Sequence, residues 1–239
     1  MEKSELFSGG PVFAKSGRVF APGTDAVVLA DFADVKYFKN ICDIGCGCGV
    51  LAIVAAERSP SASITAVDID PEACACTVEN AKANGLSGQI SVMCADIRLH
   101  RDIFKPGEFD CVISNPPYFP PDSGKHSKVW GTARQEINLN LTGLAEAVSY
   151  ILKYGGTFYL VHRADRAAEV ITCLSNSGLE PKEMRFVQHT AGSAPSLILI
   201  KCKKGGKPGV LVPPPLILAN GDGSRSDEVL RIYGKKWRD

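Results

Sequence analysis

The apolar positions of this chain fall in short runs that alternate with longer stretches of helical periodicity. We predict seven strands from the β-branched and apolar runs, at 41–44, 63–69, 90–95, 109–114, 157–162, 183–188 and 196–203. Helices are predicted between them, through 51–56, 71–83, 139–152 and 166–176. This alternation favours an α/β fold whose mostly parallel sheet carries helices on both faces, and the last two strands predict an antiparallel hairpin.

Length and composition fit one soluble globular domain. The chain has 239 residues, 45% hydrophobic and 22% charged, which suffices for a sizeable core. We assign 1–239 to a single domain, with an amino-terminal extension at 1–38 and a basic carboxyl-terminal extension at 205–239. No run approaches the ~18 apolar residues that span a bilayer, and the start lacks the apolar stretch of a signal peptide. We therefore expect a cytoplasmic protein with no membrane partner, and favour a monomer.

Nine cysteines raise the question of disulfides or a metal. Their number is odd, and no pair has the two-residue gap of a zinc knuckle. The four histidines show no metal spacing either. We predict free structural thiols and no metal site, because buried Cys in a reducing compartment behaves as a small hydrophobe.

Charge is spread unevenly although the formal net charge is only +1. Residues 181–239 hold 11 Lys/Arg and 5 Asp/Glu, which makes this part +6 and leaves 1–180 at −5. A basic end suggests an anionic partner, and Lys201, Lys203 and Lys204 are its candidate phosphate contacts. A solvated face remains the alternative.

The first predicted strand ends in Asp43-Ile-Gly-Cys-Gly-Cys-Gly49, and a helix follows at once. Glycines at three alternate positions let the backbone pass close to a ligand, and the amides at the helix start can face a carboxylate. The spacing differs from the Gly-x-Gly-x-x-Gly of dinucleotide sites. It suits a nucleoside cofactor without a pyrophosphate, which points to S-adenosylmethionine (SAM).

Acidic residues close the next two predicted strands. Asp68 stands about twenty residues after the loop, where a carboxylate can accept hydrogen bonds from both ribose hydroxyls. Asp96 can accept from the adenine amino group of the cofactor. The alternatives are a charge at a helix N-terminus for Asp68 and a plain loop carboxylate for Asp96. Asp70, directly before Pro71, is expected to cap the following helix.

The fourth predicted strand runs into Asn115-Pro116-Pro117-Tyr118. Two prolines predict a rigid turn, and the Asn side-chain oxygen with a Pro carbonyl can accept both hydrogens of an NH₂ group. Tyr118 offers a flat face for a planar substrate. This arrangement favours methylation of an amino nitrogen, although the same four residues could form a simple β-turn.

These motifs resemble the class I SAM-dependent amino-methyltransferases, which have a Rossmann-like fold. The closest likeness is to the bacterial family that methylates the adenosine beside the anticodon of a valine tRNA. Further similar segments are Gly23-Thr24-Asp25 with the apolar helix after it, Ala133-Arg134-Gln135-Glu136, Pro213 to Ile217 and Ile232-Tyr233-Gly234. One departure lies at 221–224, where family members often carry an aromatic residue.

The resemblance implies SAM as the cofactor and tRNA as the partner. The implied SAM contacts are Asp43, Gly45, Gly47, Gly49, Asp68, Ile69, Asp96, Ile97 and Asn115. The implied catalytic residues, which hold the target base, are Asn115, Pro116 and Tyr118. Arg134 joins the three lysines as an implied substrate contact. The span 119–138, basic and with one Trp, is expected to be either an RNA-contacting lid or a surface loop without a role.

Three other functions fit parts of the same pattern. A glutamine methyltransferase of peptide release factors would use the same turn, but that family usually has an additional helical domain before the first strand. A DNA or rRNA amino-methyltransferase is a second alternative, although a DNA methyltransferase would normally need a target-recognition domain, for which there is no room here. A non-catalytic SAM- or RNA-binding module is the third, because fold does not fix function.

Overall fold

The computed structural model describes residues 3–6, 9–14, 22–117 and 140–234. Tyr118, Arg134 and the predicted lid at 119–138 lie outside these residues, so their roles stay predictions. The strands are β1 (Lys3–Glu5), β2 (Val12–Ala14), β3 (Asn40–Ile44), β4 (Ser63–Asp68), β5 (Ile90–Cys94), β6 (Phe109–Ser114), β7 (Leu152–Arg163), β8 (Leu179–Gln188), β9 (Pro195–Lys204) and β10 (Leu216–Ile217). The α-helices are α1 (Thr24–Phe32), α2 (Val50–Arg58), α3 (Pro71–Ala83), α4 (His100–Ile103), α5 (Leu141–Ile151), α6 (Ala167–Asn176) and α7 (Asp227–Gly234). Two 3₁₀ turns cover Ile97–Leu99 and Ala164–Arg166.

One sheet of eight strands organises the described part of the chain, in the order β10-β8-β9-β7-β6-β3-β4-β5. β3, β4, β5, β6 and β7 pair in parallel, and β9 runs antiparallel to both of its neighbours, β7 and β8. The predicted mostly parallel sheet with a terminal hairpin is therefore confirmed. The eighth strand is the two-residue β10, too short to stand out in the sequence.

Alternation along the strands builds a core on each face of the sheet. Ile41, Ile64 and Ile113 pack with α1 and α2 on one face, while Ile44, Val112 and Leu160 pack with α5 and α6 on the other. Strands covered on both sides need apolar residues at consecutive positions, which is why the sequence shows continuous apolar runs here. The predicted helical layers on both faces are confirmed.

Both predicted extensions contribute to the folded domain. The amino-terminal one contains α1, whose Val27 and Leu29 are fully buried, and the β1–β2 hairpin, which the sequence pattern did not indicate. The carboxyl-terminal one contributes Leu216, Val229 and Ile232 to the core. Helix α1 contains the apolar stretch that the resemblance implied after Gly23-Thr24-Asp25, but it begins at Thr24, two residues before Ala26.

Candidate active site

The strand register brings the predicted site residues to one edge of the sheet. Ile44 pairs with Val67 on one side and with Ser114 on the other, and Asp68 pairs with Cys94. Parallel neighbours lie about 4.8 Å apart, so the segments after these residues emerge side by side. From β3 the chain continues to β4 and β5 in one direction, while β6 and β7 lie in the other. Such a reversal opens a crevice at the carboxyl ends of the strands, where ligands bind in open α/β sheets.

The glycine loop takes a conformation that side chains disfavour. Gly45, Gly47 and Gly49 have φ angles of 75°, 55° and 81°, in the left-handed region. A Cβ atom built on Gly47 would meet nothing within 4 Å, so the loop leaves open space there for a ligand. Gly49 ends the loop as the N-cap of α2, whose first amides are the predicted carboxylate-facing groups.

Asp68 already organises this loop. Its Oδ2 accepts a hydrogen bond from the Gly47 amide at 2.9 Å, and its Oδ1 accepts from the Asp70 amide at 3.0 Å. An ionised carboxylate has about four acceptor positions, so capacity remains for ribose hydroxyls. Burial raises the pKa of this carboxyl, and the two amide bonds act in the opposite direction. Asp70 caps α3 by accepting from the Glu72 amide at 2.9 Å, as predicted.

Asp43 lies beneath the loop and is 1% exposed. Its Oδ2 accepts from the Ala52 amide at 3.0 Å, whereas its Oδ1 is buried and meets no hydrogen-bond donor of the described chain. Burial raises the pKa of this carboxyl to about 7, the Ala52 amide lowers it, and the nearby Asp68 raises it further. A buried acceptor without a donor, beside an open glycine cradle, fits a cationic cofactor such as SAM.

Asp96 has a different environment. Its carboxylate accepts from the Arg98 guanidinium at 2.9 and 3.0 Å and from the Arg98 amide at 3.0 Å, and it caps the 3₁₀ turn that follows. Arg98 holds the pKa of this carboxyl below its usual range. The predicted contact with the cofactor adenine stays a prediction, and Arg98 would share the carboxylate. Ile97 is buried, while Ile69 is 41% exposed at the same edge.

The predicted acceptor turn follows β6 without interruption. Ser114 is fully buried, and its hydroxyl donates to the Ile44 carbonyl at 2.8 Å. This bond ties the end of β6 to the end of β3, where the glycine loop begins. Asn115 is half-buried and Pro116 is buried. The turn and the loop are therefore neighbours, with their spacing fixed by the sheet.

Sequence inspection missed the residues that hold these segments. Ser114 is one of them. Thr77 and Asn80 of α3 are the others, both fully buried and both hydrogen-bonded to the glycine loop. Polar residues one helical turn apart among the buried positions of a helix were the available signal.

The predicted basic contacts lie on β9. Because β9 runs antiparallel to β7, its carboxyl end lies toward the amino-terminal ends of the parallel strands: Lys203 pairs with Thr157 in the middle of β7, and Lys201 pairs with Tyr159. The Lys204 ammonium donates to the Leu152 carbonyl at 2.8 Å, and the Lys201 ammonium lies 5.9 Å from the Tyr159 ring centre. At ~3.3 Å per residue, the row of Lys203 is roughly 13 Å from that of Asn115. The row of Lys201 is closer, roughly 7 Å from that of Asn115. Lys203 and Lys204 therefore lie away from the carboxyl-end crevice, and the predicted RNA contact of the three lysines stays a prediction.

Free thiols are spread through the described part of the chain. The nine cysteines are free, six of them buried. Within the described ranges, no three His, Cys, Asp or Glu side chains lie together as a metal would require. Nor is any helix of those ranges long and apolar enough to cross a membrane.

Comparison with known proteins agrees with this geometry. Residues 11–177 match the family described as methyltransferase small domain. The chain belongs to this family and is a SAM-dependent methyltransferase, as its glycine loop and acceptor turn indicated.

Individual proteins are similar to this chain over most of its length. A tRNA1(Val) (adenine(37)-N6)-methyltransferase of Bacteroides fragilis is 34% identical over 183 residues, covering 74% of this chain and 75% of the relative. One of Tolumonas auensis with the same name is 30% identical over 211 residues, covering 88% and 86%. The crystal structure of a predicted O-methyltransferase from Agrobacterium tumefaciens superimposes with a TM-score of 0.69 at 23% identity, over 88% of this chain and 95% of that one. The last comparison establishes the fold alone.

Proposed function

We propose that this protein transfers a methyl group from SAM to the exocyclic N6 amino group of an adenine in tRNA, the adenosine beside the anticodon. The observation that carries the proposal is the Ser114–Ile44 hydrogen bond, which places the Asn115-Pro116 turn next to the glycine loop. The choice of nucleotide and RNA follows the names of the two relatives above, which are similar over about three quarters of the chain or more.

The cofactor half of the site consists of groups on three neighbouring strands. Asp68 would accept from the ribose hydroxyls, and Asp96 from the cofactor adenine. The loop from Gly45 to Gly49 would hold the amino-acid part, with the buried Asp43 carboxylate beneath it. When bound, SAM supplies a methyl group activated by its sulfonium.

The acceptor half acts on the amino nitrogen. The Asn115 side-chain oxygen and the Pro116 carbonyl would each accept one N–H of the substrate, which turns the nitrogen lone pair out of conjugation with the ring. The nitrogen would form a bond to the methyl carbon as the bond between that carbon and the sulfonium sulfur breaks, which leaves S-adenosylhomocysteine. The methylated nitrogen would then lose one proton to water. Catalysis therefore rests on positioning and electrostatics rather than on a general base. Tyr118, outside the described residues, would stack on the base.

tRNA would also meet charges beyond the crevice. Arg134 and the three lysines of β9 are the proposed phosphate contacts, and RNA that reaches Lys203 and Lys204 must extend past the crevice, because these two lie toward the amino-terminal ends of the parallel strands. We propose that the protein works as a monomer.

The test uses purified protein, SAM and tRNA from cells that lack the gene. We expect one N6-methyladenosine per valine tRNA molecule, found by nucleoside mass spectrometry and located by nuclease mapping. Asn115→Ala serves as the control for contaminating activity. Methylation of a release-factor glutamine with unmodified tRNA would contradict the proposal.

A further inference from the structure

The inner face of α3 carries a row of polar side chains that the proposed reaction does not use. Thr77 donates from its hydroxyl to the Gly47 carbonyl at 2.9 Å, and Asn80 donates from Nδ2 to the Cys48 carbonyl at 2.9 Å. Both side chains are fully buried. Two consecutive peptide groups of the glycine loop are thus held from one helix.

Thr77 also limits the loop sterically. A Cβ atom on Gly49 would lie 2.8 Å from Cγ2 of Thr77 and 3.1 Å from its hydroxyl oxygen. The loop and the helix therefore pack without a gap at this point, and neither can shift toward the other. The Thr77 side chain therefore contacts the loop in two ways: its hydroxyl donates to the Gly47 carbonyl, and its methyl group packs against the backbone of Gly49.

The orientation of the Gly47 carbonyl decides whether the next amide can face a ligand, whereas the Gly49 amide of the peptide held by Asn80 already donates to the Cys46 carbonyl at 2.7 Å and closes the loop. Across a planar trans peptide the N–H points opposite to the C=O. Fixing the Gly47 carbonyl on Thr77 therefore directs the Cys48 amide away from α3. Without the Thr77 hydroxyl the carbonyl of half-buried Gly47 would lose its donor, which costs free energy and favours rotation of the peptide. A rotated peptide would present oxygen where a carboxylate ligand needs N–H.

We propose that Thr77 and Asn80 are positioning residues for cofactor binding: they hold the glycine loop in its ligand-ready conformation before SAM arrives. The inference rests on the proposed function, since it assumes that this loop takes SAM. On this proposal α3 affects the affinity for SAM and not the methyl-transfer step, although α3 carries no proposed ligand contact.

Asn84, the residue directly after α3, provides a matched control. Asn84 accepts from the Val12 amide at 2.9 Å and donates to the Val12 carbonyl at 2.8 Å, which ties the β1–β2 hairpin to α3. Its amide also donates to the main-chain carbonyl of Asn80 at 2.8 Å, so these bonds are like that of Asn80 in length but do not reach the loop. Asn84→Ala therefore reports what loss of a backbone contact by α3 does in general.

The experiment measures binding of S-adenosylhomocysteine by titration calorimetry to the full chain, without RNA. We expect Thr77→Val, which keeps shape and loses the hydroxyl, to bind about tenfold more weakly, and Asn80→Ala to behave alike. Thr77→Ser should bind within about threefold of wild type, because the hydroxyl survives, and Asn84→Ala should bind as wild type does. In steady-state assays KM for SAM should rise while kcat changes less than about twofold.

Each outcome separates the two proposals. Wild-type protein that fails to bind S-adenosylhomocysteine would overturn the proposed function itself. Binding by wild type with equal affinity in Thr77→Val and Asn80→Ala would overturn the positioning role alone. An equal loss in Asn84→Ala would do the same, by showing a general loss of stability. Should Thr77→Val not fold, Asn80→Ala compared with Asn84→Ala decides the question.

Discussion

Replacing Asp43 with asparagine should make the protein more stable at neutral pH and a poorer SAM binder. Asp43 is 1% exposed, and burial raises its carboxyl pKa from 3.8 to about 7. In the unfolded chain the same group would titrate near ~4. Asparagine has nearly the same shape, carries no charge, and can still accept the Ala52 amide bond.

The sign follows from proton linkage. A carboxyl whose pKa is higher in the folded state favours folding fully below about pH 4, and this contribution is lost as pH rises to about 7. The folded and unfolded pKa values differ by about three, and each pKa unit corresponds to ~1.4 kcal/mol. The free energy of unfolding therefore loses on the order of 4 kcal/mol. The asparagine amide of the variant does not titrate, so the variant escapes this loss.

Urea unfolding of both proteins between about pH 4 and 8 measures the effect. The stability of Asp43→Asn relative to wild type should increase by a few kcal/mol from about pH 4 to 7 and stay level above. Burial lowers the pKa of His162 to about 4, so its contribution has the opposite trend, but it is common to both proteins and cancels in the difference. A difference that does not change with pH would refute the reasoning about Asp43. S-adenosylhomocysteine should bind the variant more weakly at about pH 8, because the loop loses its buried negative charge.

Three further predictions concern the two halves of the site and the lysines of β9. Asn115→Ala should slow single-turnover methylation at saturating SAM by on the order of 10²–10³, the typical cost of one positioned polar group in a catalytic site; a wild-type rate would remove Asn115 from the acceptor site. Asp68→Ala should weaken S-adenosylhomocysteine binding at least about tenfold in calorimetry, since it removes the proposed ribose acceptor and the Gly47 amide bond together; unchanged affinity would contradict its role. Alanine at Lys201, Lys203 and Lys204 should reduce the slope of log tRNA affinity against log salt by up to about 0.9 for each lost phosphate contact, whereas an unaltered slope would make these lysines a solvated face.

Local sequence determined most of the elements and the ligand loop. Helix α3 spans Pro71–Ala83 with Asp70 as its N-cap, as predicted, because proline at the first position and a carboxylate before it satisfy the first amides of a helix. The glycines at 45, 47 and 49 all have positive φ, a backbone choice written into the residues themselves. Such features depend on neighbours in the chain, so the sequence exposes them.

Tertiary structure decided which distant groups meet. Nothing near Gly47 in the sequence shows that Thr77 holds its carbonyl, nor that Ser114 joins the acceptor turn to β3, because these hydrogen bonds cross 30 and 70 positions. The basic residues of β9 illustrate the same limit. Their charge was plain in the sequence, but the antiparallel course of β9 carries Lys203 and Lys204 away from the crevice, while Lys201 stays nearer to it. Composition fixes how much charge a segment holds, while strand direction, set by packing and pairing across the whole sheet, fixes where that charge acts.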